Sequence, residues 1–171
     1  MNKIIDVKNN LLTEDSLKYI NEQIVNDKVD IYTDGSCLVN DSKNRSTHAI
    51  VILDGDNVIE HSGHFEVGTN NKSELMALLW AIQIMIYLQD EHGIEVFIYS
   101  DSQYAIKTLF QWSANWIRKK KKKKNMEFVY VFHNQLSDAF AYENQVKWVK
   151  GHSGNKGNEL ADKLCLREYD C

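Results

Sequence analysis

Apolar positions along the chain alternate between a helical period and a strand period. Leu17, Ile20 and Ile24 recur at helical spacing behind Thr13 and predict a short amphipathic helix within residues 1–28. Residues 29–33 are β-branched and aromatic with Gly35-Ser36 behind them, which predicts a strand ending at Asp34. Residues 47–53 and 58–65 flank the turn-rich Asp54-Gly55-Asp56-Asn57, a hairpin signal. After Thr69-Asn70-Asn71, a long helix carries Leu75, Leu78, Leu79, Ile82 and Ile86 on one face and closes at Gly93. Residues 94–99 form a fourth strand, with Asp101 just past its end. Residues 102–116 predict one or two helices broken near Ser113, and residues 126–142 a further helix. A fifth strand covers 145–150, and the loop Gly151-His152-Ser153-Gly154 leads to a last helix from about Asn158.

This order predicts an α/β fold: a five-stranded mixed sheet with helices on both faces. The long helix is a crossover, so the fourth strand lies parallel beside the first. Neighbouring parallel strands bring their C-terminal ends together, where open α/β sheets place ligands, and Asp34 and Asp101 both stand at that edge. No proline and no internal repeat interrupts the chain. Residues 1–28 therefore read as an N-terminal extension to one domain spanning 29–171.

At 171 residues and 43% hydrophobic content the chain is long enough to bury a core without disulfides. Cys37, Cys165 and Cys171 are odd in number and lack finger spacing, which argues against a disulfide framework or a zinc site. No apolar run approaches the roughly 20 residues that span a bilayer, and the polar N-terminus does not resemble a signal peptide. The expectation is a soluble, cytoplasmic monomer with no membrane partner. Net charge is −4, yet residues 118–124 are one arginine followed by six lysines, so an acidic body carries a single cationic block. Such a block either meets phosphates or is a solvated loop.

Four acids stand out by position: Asp34 and Asp101 at strand ends, Glu74 in the first turn of the long helix, and Asp162 early in the last one. Taken singly each has a structural explanation, as a helix-start acid or a turn former. Converging on one sheet edge they would repel one another, and a divalent cation removes that cost. Oxygen ligands without clustered cysteines or histidines favour Mg²⁺ or Mn²⁺, whose usual partner is a phosphate ester. Two such ions about 3.5–4 Å apart suit in-line phosphodiester displacement. His152, between glycines in a loop, is placed to shuttle a proton near neutral pH. His48, His61, His64, His92 and His133 read as exposed polar residues.

The strings Thr33-Asp34-Gly35-Ser36-Cys37, Thr69-Asn70-Asn71-Lys72-Ser73-Glu74-Leu75, Tyr99-Ser100-Asp101-Ser102-Gln103-Tyr104, and Trp148-Val149-Lys150-Gly151-His152-Ser153-Gly154 with Gly157-Asn158-Glu159-Leu160-Ala161-Asp162 occur in the order found in type 1 ribonuclease H. From residue 29 to about 168 the chain resembles that family. The resemblance implies a ribonuclease H-like fold and endonucleolytic cleavage of the RNA strand of RNA/DNA hybrids, leaving 5′-phosphate and 3′-hydroxyl ends. It implies that Asp34, Glu74, Asp101 and Asp162 bind two Mg²⁺, with Mn²⁺ as a substitute, and that His152 assists product release. It places Ser36, Asn40, Thr69, Asn70, Asn71 and Gln103 against the hybrid. Residues 110–125 resemble the family's basic protrusion, with Trp112, Trp116, Arg118, Lys119, Lys120 and Lys121 toward the DNA strand. The N-terminal extension lacks the aromatic and basic pattern of the hybrid-binding module of many eukaryotic members. Two other readings stand beside this one: a hybrid-binding module without catalysis, and another nuclease of the same fold.

Overall fold

The computed structural model describes residues 4–38 and 45–169. Its sheet has five strands: β1 (Lys28–Cys37), β2 (Ser46–Asp54), β3 (Asn57–Phe65), β4 (Glu95–Ser100) and β5 (Val146–Trp148). They lie in the order β3-β2-β1-β4-β5. The first three form an antiparallel meander, while β4 is parallel to β1 and β5 to β4. This is the mixed sheet the sequence predicts, with the fourth strand beside the first. Two strand ends differ. β1 does not stop at Asp34, because Gly35, Ser36 and Cys37 keep pairing with His48, Thr47 and Ser46. β5 is shorter than predicted: only Val146, Lys147 and Trp148 pair with β4.

Six α-helices surround the sheet: α1 (Glu14–Gln23), α2 (Asn70–Ile86), α3 (Gln103–Lys107), α4 (Ser113–Arg118), α5 (Met126–Gln135) and α6 (Lys156–Tyr169). Thr13, Thr69 and Ser102 cap α1, α2 and α3 by accepting the backbone N–H three residues on, the usual remedy for orphan donors at a helix start. Side chains alternate across the strands, so Val29 and Ile31 enter the main core under α2 while Tyr32 faces the other way. There Tyr32 packs with Ala49, Val51, Ala161, Leu164 and Cys165, so α6 covers the second face. Among the described residues no helix is long and apolar enough to cross a membrane.

α2 is buried on more than the one face its apolar stripe suggests. Leu75, Met76, Leu78, Leu79, Ile82, Ile84 and Met85 are all inaccessible, each contributing roughly 1.5–3 kcal/mol of burial. The helix widens into a π-turn at Tyr87–Glu91 before Gly93, which adopts φ +64°. The predicted break at Ser113 is absent: α3 passes through a second π-turn, Thr108–Trp112, into α4 without leaving helical backbone. Ser113 instead donates its hydroxyl to the Leu109 carbonyl (2.5 Å) and pairs with His133 Nε2 (2.7 Å), tying α4 to α5. α5 ends at Gln135, and a 3-10 segment, Ser137–Gln145, completes the connection that the sequence reads as one helix.

His48 is not the exposed residue expected. It is 1% exposed, with its ring edge-on to Trp80 at 4.4 Å and tilted against Phe65 at 4.8 Å. Burial, with His64 and His61 nearby, pushes its pKa down to about 3. The unfolded chain takes up this proton near pH 6.5 and the folded chain does not, so stability present above pH 6.5 is lost as pH falls toward 3. At pH 5 the loss from this residue is roughly 2 kcal/mol. His48→Phe should therefore gain stability relative to the parent as pH drops from 7 to 5 in urea titrations. A stability difference that stays constant with pH would refute this role.

Candidate metal centre

The β1–β4 register sets Thr33 opposite Ser100. The next residue on each chain is an aspartate, so Asp34 and Asp101 emerge side by side at the carboxyl edge of the sheet. α2 crosses this edge closely. A methyl group at Gly35 would overlap the backbone of Ser73 and Glu74, so only glycine lets β1 approach the first turns of the helix. The result is that Asp34, Glu74 and Asp101 each offer a carboxylate oxygen, all within 4.8 Å of one another. On the opposite face Gly157 performs the same service, since any side chain there would strike the Tyr32 ring. α6 thereby seats against β1 with Asp162 half-buried. Asp162 falls outside the 4.8 Å trio, but its charge acts on Asp34.

These carboxylates are electrostatically frustrated. Burial first, then the charges of Asp101 and Asp162, raise the pKa of Asp34 to about 7, opposed by hydrogen bonds from Glu74 and the Gly35 backbone. Glu74 is pushed well above its ordinary value by burial and by the charges of Asp34 and Asp101. Both shifts run in the direction that resists ionising the two acids together. Asp54 shows the contrast: it is fully buried too, but accepts from Val25 N, Asn26 N and Asn26 Nδ2. Glu74 Oε2 is buried without a partner. The ion pairs among the described residues, Lys72–Glu127, Arg167–Glu60 and His64–Glu66, leave all four acids out. An orphan oxygen in an all-carboxylate set, with no ion pair to it among the described residues, fits a hard divalent cation.

Two residues without a role in the sequence reading hold Asp101. Trp148 donates its indole N–H to the Asp101 carbonyl (3.1 Å), and Asn158, 3% exposed, directs Nδ2 at Asp101 Oδ2 (3.3 Å). Asn158 lies one helical turn before Asp162 on α6, so both project from one helix face. That spacing was the available signal. Gly151 also crowds this carboxylate, which a methyl there would meet at 3.0 Å from Oδ2. His152 follows on the same loop, exposed and at φ +54°.

Thr69, Asn70, Asn71 and Gln103 are exposed at the starts of α2 and α3, and Ser36 is half-buried on β1. Asn40 lies outside the described residues. Trp112 is 39% exposed and its ring sits 5.6 Å from that of Trp116, over which Lys123 is placed at 5.8 Å. Both tryptophans thus border the surface. Arg118, Lys119, Lys120 and Lys121 are exposed. A cleft of about 520 Å³, not foreseen from sequence, is lined by Thr69, Asn71, Asn125 and Lys122, Lys123 and Lys124 rather than by the earlier lysines.

The RNase H family model matches residues 26–169. A ribonuclease H of Aeromonas salmonicida is 32% identical over 139 residues, covering 80% of this chain and 86% of its own. A ribonuclease H of Neorickettsia sennetsu is 33% identical over 144 residues, covering 81% and 90%. Among solved structures, LC9-RNase H1, a type 1 RNase H with the type 2 active-site motif, superposes at a TM-score of 0.55 with 21% identity. The match covers 85% of this chain and 73% of that one, a likeness of fold.

A group whose folded pKa is raised adds stability below its unfolded pKa and loses it as pH rises through the folded value. For Asp34 the window runs from about 3.8 to about 7. In EDTA at pH 7.5, Asp34→Asn should melt ~2–4 °C above the parent, the shift expected for roughly 1 kcal/mol in a domain of this size, and the advantage should vanish near pH 4. A variant that melts lower at pH 7.5 would contradict the frustrated site. Asn158→Ala should weaken Mn²⁺ binding, read by electron paramagnetic resonance, about 10–100-fold. Unchanged Mn²⁺ affinity would leave Asn158 a purely structural role.

Proposed function

The chain belongs to the RNase H family, and we propose that it is an endoribonuclease that hydrolyses the RNA strand of RNA/DNA hybrids at a two-ion site. The observation that carries this reading is the carboxylate trio of Asp34, Glu74 and Asp101, with its orphan oxygen, at a sheet edge bordered by a lysine-lined cleft. Asp34, Glu74, Asp101 and Asp162 would hold Mg²⁺, with Mn²⁺ as a substitute. When bound, the ions supply activation of an attacking water and charge neutralisation at the leaving oxygen, giving 5′-phosphate and 3′-hydroxyl ends.

The chain's own residues do the rest. Asn158 and Trp148 fix the orientation of Asp101 from its two ends. His152, exposed on the loop beside Asp101, carries a proton at its imidazole nitrogen and helps the product leave. Ser36, Thr69, Asn70, Asn71 and Gln103 offer hydroxyls and amides to the backbone and to the wide minor groove of the hybrid. The 2′-hydroxyls displayed there mark the RNA strand without any reading of sequence. Trp112, Trp116, Arg118 and Lys119–Lys121 face the DNA strand, so affinity falls with salt.

With Mg²⁺ present, the protein should cleave a labelled hybrid internally and leave duplex DNA and single-stranded RNA intact. Asp34→Asn or Asp101→Asn should lower hybrid cleavage by more than about a hundredfold, exceeding the usual cost of losing an outer-shell partner. Cleavage indifferent to these substitutions, or stronger on duplex DNA, would defeat the reading.

A further inference from the structure

Residues 4–12 lie outside the family match, yet they are built into the main core. Ile5, Val7 and Leu12 are buried there. The segment is also pinned by polar contacts. Trp80 donates Nε1–H to the Asn10 carbonyl (2.8 Å), and Gln83 makes a reciprocal pair with the Leu12 backbone at 2.8 and 3.1 Å. Its position is therefore fixed at one end by α2. The other end reaches the cationic cleft.

There the Ile5 N–H donates to Glu127 Oε2 at 3.2 Å, and the same carboxylate pairs with Lys72 Nζ at 3.3 Å. Glu127 is the acid that lines the cleft, and it faces Lys72, Lys122, Lys123 and Lys124. Left bare, it would repel any anion entering. The N-terminal segment and Lys72 together consume its charge. Ile4, one residue before this contact, forms part of the cleft wall and is 77% exposed. It is an apolar, largely exposed side chain at the rim of a lysine-lined cavity.

Building on the proposed function, we infer that residues 4–12 act as a wall of the nucleic-acid channel. They hold the floor of the cleft neutral at Glu127 and bring position 4 alongside the phosphodiester backbone that Lys122–Lys124 attract. The extension is thus part of the binding surface rather than a tail attached to it.

Position 4 is exposed enough to change without disturbing the fold, so charge substitutions there report on the channel alone. Hybrid binding in EDTA, followed by fluorescence anisotropy across a salt series, would compare the parent with Ile4→Lys, Ile4→Glu and the neutral control Ile4→Gln. One added phosphate contact should steepen the slope of log Kd against log salt by about 0.7–0.9 for Ile4→Lys. Ile4→Glu should raise Kd several-fold at low salt and converge on the parent at high salt, with Ile4→Gln close to the parent and all melting temperatures unchanged. Equal slopes and affinities across the four proteins would overturn the inference while leaving the nuclease reading intact. A parent that binds no hybrid would overturn both, whereas a parent that binds and responds at position 4 but cleaves nothing with Mg²⁺ would sink only the nuclease reading.

Discussion

Crowding Asp34, Glu74 and Asp101 into one notch works against folding, and the rest of the structure is arranged to impose it. Like charges at this separation resist ionising together, and burial removes the water that would soften the repulsion. Only a stiff frame can hold them in place. The frame has two parts: the parallel β1–β4 pairing, which fixes the two aspartates relative to each other, and α2, which brings the glutamate. Because so many α2 side chains are inaccessible, sliding the helix to relieve the acids would open cavities in the core. Gly35 removes the one side chain that would keep the two elements apart.

Buried polar groups are treated unevenly among the described residues: Asp30, Ser46, His48 and Thr108, like Glu74, each keep one buried polar atom without a partner, whereas others are fully matched. Asp54 is inaccessible and receives three hydrogen bonds from the segment between α1 and β1, so it stitches that connection to the end of β2. Ser113 is likewise matched, between Leu109 and His133. What sets the sheet edge apart is that its orphan oxygen belongs to a cluster of three carboxylates within 4.8 Å of one another, a donor set that suits a divalent cation. The pH behaviour divides accordingly. Asp34 favours the folded state at low pH and His48 favours it at high pH, so their contributions oppose each other between about pH 4 and 6.5. A bound cation abolishes the first and leaves the second, and by linkage it also adds stability to the loaded form at neutral pH.

Much of this was legible in the sequence because it depends on local pattern. The hairpin and the crossover helix each announce themselves locally, and the parallel placement of β4 follows from the crossover alone. Of the four acids expected to gather, Asp34, Glu74 and Asp101 do so, while Asp162 lies outside their 4.8 Å group. What escaped depends on relations between distant segments. The identity of the lysines at the cleft was hidden because six identical residues in a row carry no phase information. The π-turns escaped because they preserve a helical appearance while adding a residue per turn. His48 was misjudged although a signal existed: it occupies the same strand face as Ile50 and Ile52, and alternation alone places it inside.

The first turns of α2 join the cationic cleft to the acidic cluster. Thr69 and Asn71 line the cleft, Lys72 carries the ion pair to Glu127 at the start of α5, and Glu74 reaches the acidic cluster. At a rise of about 1.5 Å per residue, these groups span less than two helical turns. On the proposed function, a nucleic acid anchored at the cleft would be referenced to the same rigid body that carries Glu74. The Ser113–His133 contact ties α4, which carries Trp116, to α5 and so to the same core on which α2 presents Glu74 to the acidic cluster.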